Sequence, residues 1–116
     1  MFQFKFDENH VAQCLKKSWS SQSSSKWTSD NPSAGQCSVT AIVLQKYFGG
    51  EILKTKVQDQ WHYYNCIQGC IYNFTVEQFD EPVTYLNISS SQEEAMTDTN
   101  QKQVSWLRNK LKECLS

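Results

Sequence analysis

The sequence predicts one α+β domain over residues 1–116, and three observations support this fold class. A chain of 116 residues has the size of one domain and leaves no room for two hydrophobic cores. Apolar residues recur with helical spacing near both ends of the chain and in its middle. Three short strand patterns follow the middle helix and precede the last one. We therefore expect a buried central helix packed on a short antiparallel sheet, with flanking helices.

The first element is an amphipathic helix of about ten residues. Asp7 is a residue type that caps helices, and Val11, Cys14 and Leu15 after it fall on one apolar stripe. The segment Ser18–Ser25 contains six serines in eight positions and too few apolar residues for a regular element. We expect a loop there.

The second helix is predicted over Gln36–Phe48. Apolar residues lie on nearly every side of it, which indicates a buried helix rather than a surface helix. The segment Asn31–Gly35 before it has turn chemistry, because Pro32 disfavours helix for the residue that precedes it. Gly49 and Gly50 supply a left-handed stop.

Three strands are predicted over Glu51–Val57, Trp61–Ile67 and Cys70–Phe74. Between the second and third strands, Gln68 and Gly69 are expected to form a two-residue hairpin turn. Such a turn pairs the second and third strands directly and fixes which side chains share a face.

The remaining elements are helical. Thr75–Gln78 matches a capping box, so we expect a short helical turn through Phe79. A further turn is expected over Ser91–Met96. A final amphipathic helix is expected over Gln103–Leu115, and its apolar stripe contains Val104, Leu107, Leu111 and Cys114.

The composition argues against nucleic-acid and membrane partners. With 11 Lys and Arg against 12 Asp and Glu, the net charge of −1 provides no basic field for either. The longest apolar run, Ala41–Leu44, is too short to span a bilayer, and the first residues do not resemble a signal peptide. The five cysteines are an odd number without regular spacing. We interpret them as reduced thiols and expect a cytoplasmic protein.

Cys37, His62 and Asn73 are the candidates for chemistry. Cys37 lies in the first turn of a buried helix, where the helix dipole favours a thiolate and free N–H groups can hold an oxyanion. The hairpin register places His62 and Asn73 on one face as diagonal neighbours. Asn73 would then bind one imidazole nitrogen and leave the other for the thiol. Asn65 falls on the opposite face, although a register slip of one residue would reverse the assignment.

Cys66 and Cys70, with His62 nearby, are the residues that a zinc site would use. In the same register the two cysteines point to opposite faces, and a structural zinc site needs four ligands. We therefore expect no metal and no cofactor. Cys14 and Cys114 lie on apolar helix stripes and are interpreted as core residues.

The chain resembles the YunG-like family of small bacterial proteins over nearly its whole length. The segment Asn31–Ala41 contains Gly-Gln-Cys and the segment Phe48–Leu53 begins Phe-Gly-Gly, which are the most specific matches. His62–Asn65 and Thr75–Phe79 add further ones.

That family is in turn similar to papain-like cysteine hydrolases, in which a Cys begins a central helix and His and Asn or Asp follow on successive strands. The resemblance implies a minimal papain-like fold, with Cys37 as nucleophile, His62 as base and Asn73 as the residue that orients the base. The family usually has Asp where this chain has Asn73, which removes a negative charge beside the imidazole. The resemblance also implies Gln36 or Asn31 as support for an oxyanion.

Three functional hypotheses follow. The first is a small cysteine hydrolase, or an amide or acyl transferase, that acts on a peptide, an amide or a small molecule. The second is a non-catalytic interaction module, with the serine-rich loop and the polar segment 87–103 as partner surfaces. The third is a redox-sensing thiol at Cys37. The substrate and the oligomeric state do not follow from the sequence.

Overall fold

The computed structural model describes residues 4–116, and this part of the chain is an α+β domain, as predicted. Its helices are α1 (Glu8–Ser18), α2 (Cys37–Phe48), the single turn α3 (Gln92–Ala95) and α4 (Gln101–Leu115). Its strands are β1 (Glu51–Val57), β2 (Gln60–Ile67), β3 (Cys70–Tyr72) and β4 (Ile88–Ser89). Two 3₁₀ turns occupy Val76–Gln78 and Met96–Asp98.

The helix boundaries follow local sequence signals. The Asp7 carboxylate caps α1 by accepting a hydrogen bond from the backbone N–H of His10 at 3.1 Å. Nine of the twelve residues of α2 are buried, which confirms the expected buried helix. Gly49 follows the last helical residue, and its φ of 76° lies in the left-handed region. The predicted turn around α3 is also present, and Ser91 caps it.

The sheet is antiparallel, with the strand order β3-β2-β1-β4. Ile67 pairs with Cys70 across the predicted two-residue turn, so the predicted register of β2 and β3 is confirmed. Gln68 and Gly69 both have positive φ, as this turn type requires. β3 ends at Tyr72, two residues before its predicted end. β4 was not predicted, because two residues are too short to produce a strand pattern.

The turn Val76–Gln78 forms without the predicted capping box. The hydroxyl of Thr75 makes no cap hydrogen bond to the turn and lies 3.3 Å from Asn73 Oδ1. The Thr75 hydroxyl donates instead to an acceptor outside the turn. The prediction of a capping box was therefore wrong, although the prediction of a turn was right.

α2 packs between the sheet and α4, and α1 packs against α4. The side-chain amide of Asn65 donates to the carbonyl of Ala41 at 3.0 Å, so the Asn65 face of β2 is the face that α2 covers. The opposite face of β2 is covered by the segment before β4, where the hydroxyl of Tyr64 donates to Asn87 Oδ1 at 2.8 Å. His62 shares the Tyr64 face.

Cys14 and Cys114 form a disulfide that joins α1 to α4, which corrects the prediction that all five cysteines are reduced. Both lie on the predicted apolar stripes, and these two stripes meet in the folded chain. Cys37, Cys66 and Cys70 are free thiols. Because disulfides are rare in the cytosol, the expectation of a cytoplasmic protein loses one of its supports. Within residues 4–116, no helix has both the length and the apolar character needed to cross a bilayer.

Candidate functional site

A cavity of about 830 Å³ lies at the open edge of β2. β3 pairs only with residues 65–67, and three consecutive residues nearer the start of β2, 61–63, all line the cavity. Consecutive strand residues point to opposite faces. The cavity therefore wraps around the strand edge and receives side chains from both faces of the sheet.

Cys37 is the first residue of α2 and lines this cavity. Its Sγ lies 3.8 Å from the hydroxyl oxygen of Ser38 and also has a backbone hydrogen bond from Tyr63. Burial raises the pKa of the Cys37 thiol, and the nearby Asp98 carboxylate raises it further, while the hydrogen bonds lower it. Burial raises the thiol pKa by more than the hydrogen bonds lower it, so the thiolate expected from the sequence is not the resting form.

His62 and Asn73 come together as the register predicts. His62 Nε2 and Asn73 Oδ1 are 2.9 Å apart, and Asn73 Nδ2 donates in turn to the hydroxyl of Tyr85 at 3.1 Å. Burial lowers the pKa of His62, and the Asn73 hydrogen bond raises it by a smaller amount. The imidazole is therefore held neutral. The side chain of Asn65 donates to the α2 backbone on the other face of the strand. The residue that contacts the imidazole is therefore Asn73 and not Asn65.

The second nitrogen of His62, Nδ1, is buried and has no hydrogen-bond partner within residues 4–116. The ring itself is fixed, because Phe79 packs edge-on against it with ring centroids 4.8 Å apart. Both His62 and Cys37 line the cavity, although they belong to opposite sides of the β2 edge and make no direct hydrogen bond. The cavity is thus lined by one residue with a free thiol, Cys37, and by another with an unpaired imidazole nitrogen, His62.

Gln36 and Asn31 are not brought to this cavity, whose lining includes neither side chain. Gln36 is fully buried, and its amide nitrogen lies 3.5 Å from the carbonyl oxygen of Ser20. Asn31 Oδ1 lies 3.5 Å from the hydroxyl of Ser33 in the loop that precedes α2.

Other cavity residues were not predicted from the sequence, because they come from distant segments. Gln78 ends one 3₁₀ turn and Asp98 ends the other. Ser24 lies in the serine-rich loop and is buried against the site. The charged side chains among the lining residues are Lys26, Asp59 and Asp98. No local pattern marks such residues, since only the folded chain brings these segments together.

The start of α2 also contributes backbone donors. No side chain of the described residues caps this helix. The amides of its first turn, at Cys37 and Ser38, point towards the end that faces the cavity. A helix start of this kind stabilises negative charge placed beside it.

The fold and site describe a small α+β protein with a free cysteine at a helix start and a buried histidine that is hydrogen-bonded to a partly exposed asparagine. The chain belongs to the YunG protein family, whose model matches residues 7–116. It is 57% identical over 99 residues to the Bacillus subtilis (strain 168) protein described as "Uncharacterized protein YunG", covering 85% of this chain and 86% of that protein. No solved structure matches the chain.

Proposed function

We propose that this protein is a small cysteine hydrolase or acyl transferase with a papain-like arrangement of its reacting groups. Cys37 is the nucleophile, His62 is the base and Asn73 orients the base. The observation that carries the proposal is the buried, neutral imidazole of His62, whose Nε2 is bound by Asn73 while its Nδ1 is unpaired. His62 and Cys37 line the same cavity.

The hydrogen bond to Asn73 selects the tautomer that a base needs. An amide oxygen can only accept, so His62 Nε2 carries the proton and donates it to Asn73 Oδ1. In a neutral imidazole the other nitrogen, Nδ1, then has a lone pair. That lone pair is the group that would take the thiol proton of Cys37.

The proposed reaction begins when Sγ of Cys37 attacks the carbonyl carbon of an amide or ester. A C–S bond forms, the thiol proton moves to His62 Nδ1, and the π electrons of the carbonyl move onto its oxygen. When the carbonyl reforms, the C–N or C–O bond breaks and the leaving group takes the proton from Nδ1. Water, or an acceptor amine or alcohol, then attacks the thioester carbon and gives its proton to His62 Nδ1. The C–S bond breaks, and the released thiolate of Cys37 takes that proton back.

The pKa directions support proton transfer during the attack rather than a resting ion pair. A raised thiol pKa and a lowered imidazole pKa both favour the neutral forms. Because His62 stays neutral below its ordinary pKa of 6.5, the base form persists into mildly acidic solution. The proposal requires the two groups to approach each other when substrate binds, since catalytic contacts are often long in a free enzyme and shorten in the complex.

The proposal is tested by acyl transfer from p-nitrophenyl acetate, with the acetylated cysteine mapped by mass spectrometry. We expect acetylation of Cys37 and release of nitrophenolate. His62→Ala should lower the rate about 100-fold, within the usual range for a general base. Cys70→Ser is the matched control, because Cys70 is an exposed free thiol outside the cavity, and it should leave the rate unchanged.

Two results would contradict the proposal. Acetyl groups distributed over the three free thiols alike would show that Cys37 has no special reactivity. An acetylation rate of Cys37 that His62→Ala does not change would show that the imidazole is not its base.

A non-catalytic interaction module is the second candidate, and one observation favours it. The segment leading into β4 exposes apolar side chains at the sheet edge, with Tyr85, Leu86 and Ile88 at 40%, 54% and 38% exposure. Exposed apolar side chains at an edge strand are common at protein contacts. This function predicts that Cys37 is inert towards the acetylating reagent in wild type and in His62→Ala.

A further inference from the structure

The side-chain amide of Gln78 has a buried donor without an acceptor. Its Oε1 accepts a hydrogen bond from the backbone N–H of Gly35 at 3.2 Å. Because a backbone N–H can only donate, the end of the amide that faces Gly35 is the oxygen, and the other end is the NH₂ group. That Nε2 is buried and has no hydrogen-bond partner within residues 4–116. A buried donor without an acceptor destabilises the folded state, so its retention calls for an explanation.

Gln78 and its neighbour Phe79 connect the two halves of the site. The Gln78 amide binds Gly35, which lies two residues before Cys37 at the entrance to α2. The ring of Phe79 packs on the imidazole of His62. Both residues line the cavity. The turn Val76–Gln78 therefore binds the loop just before Cys37 through Gln78, and the next residue, Phe79, packs on the imidazole.

We propose that Gln78 Nε2 donates a hydrogen bond to the substrate's carbonyl oxygen as that oxygen becomes negative during attack by Cys37. This inference rests on the proposed function and adds the side-chain donor that Gln36 and Asn31 do not bring to the cavity. No proton leaves Gln78, which only donates the hydrogen bond. The backbone amides at the start of α2 supply the other donors. The buried position strengthens the interaction, because little water competes for the donor.

The test compares two reactions of Cys37 that differ in one respect. Acetylation by p-nitrophenyl acetate passes through a tetrahedral oxyanion, whereas alkylation by iodoacetamide displaces iodide from a saturated carbon and creates none. Both rates depend on the availability of the thiol. The ratio of the acetylation rate to the alkylation rate therefore isolates stabilisation of the oxyanion.

Gln78→Glu retains an oxygen acceptor for Gly35 and replaces the NH₂ donor with a carboxylate oxygen. Gln78→Met removes the donor without adding charge. We expect the rate ratio to fall about 100-fold in both variants, as when one oxyanion donor is removed from an acyl-transfer enzyme. Gln13→Glu is the control, because it adds the same charge to an exposed residue outside the cavity, and its ratio should be unchanged.

Three outcomes would overturn the inference. An unchanged ratio in both Gln78 variants would show that Nε2 does not reach the reacting oxygen. Equal losses of acetylation and alkylation would show that Gln78 only supports the loop before α2. A wild-type Cys37 that is alkylated but never acetylated would refute the proposed function itself, and the role of Gln78 with it.

Discussion

Replacing Asn73 with alanine tests the central contact of the site through the stability of the protein. Asn73 has three side-chain partners: His62 at 2.9 Å, Tyr85 at 3.1 Å and Thr75 at 3.3 Å. His62 and Thr75 are each 2% exposed, whereas Tyr85 is 40% exposed. Water can replace the amide at Tyr85 but not at the two buried partners. Asn73→Ala should therefore leave two buried polar groups without a hydrogen-bond partner.

The expected cost follows from that count. A buried polar group that loses its partner costs about 1–3 kcal/mol, and the bond to Thr75 is long and contributes near the lower end. We expect Asn73→Ala to lower the free energy of unfolding by about 2–4 kcal/mol. Tyr85→Phe removes only the exposed contact and should change it by less than about 0.5 kcal/mol. Urea unfolding followed by tryptophan fluorescence at about pH 8 measures both.

The pH dependence of the same variant checks the cause. The pKa of His62 is lowered in the folded protein, so the unfolded chain binds the proton more tightly. Stability is then fully present above the unfolded pKa of 6.5 and falls as the pH drops below it. The Asn73 bond raises this pKa, so its removal should deepen the acid-side loss. A variant as stable as wild type at about pH 8, with the same acid-side slope, would refute the reasoning.

Three further predictions concern the rest of the chain. Asp98→Asn should lower the pKa of the Cys37 thiol and speed its alkylation near neutral pH. Asp59→Asn, on the same cavity, should leave the alkylation rate unchanged. Equal alkylation rates in the two variants would contradict the prediction. Gly50→Ala should destabilise far more than Gly69→Ala in urea unfolding. Both glycines have positive φ, but a Cβ at Gly50 would lie 2.0 Å from a carbonyl oxygen of β2, and one at Gly69 meets nothing within 4 Å. Reducing the disulfide between α1 and α4 should cost about 2–5 kcal/mol of stability, and an unchanged urea midpoint under reductant would count against the bond.

Several features of this protein follow from local sequence alone. Asp7 begins α1 because its carboxylate satisfies an amide three residues later, and that contact needs no distant partner. The turn at Gln68 and Gly69 fixes the register of β2 and β3. Because side chains alternate between the two faces of a sheet, the pair beside the turn determines the face of every other residue in both strands. The contact between His62 and Asn73 follows from that register. The sequence could therefore predict this pair before the fold was known.

The prediction failed where two distant elements meet. Cys14 and Cys114 lie 100 residues apart, and each helix pattern shows its own apolar stripe without showing which stripe it will face. No local sequence pattern identifies Gln78 and Asp98 as site residues, since their place in the site depends on how their turns pack against the rest of the chain. The same limit applies to Gln36, which precedes the cysteine in sequence but points into the interior.

The sequence by itself determined the helices, the hairpin, the family and the pairing of the imidazole with Asn73. Only the tertiary structure decided that Cys37 and His62 share a cavity at the edge of β2 and that burial keeps both groups neutral. The reason is that hydrogen bonds within a turn or hairpin depend on residues that are close in sequence. Burial and the meeting of two faces depend on the whole chain, and they set the protonation states on which any chemistry at Cys37 depends.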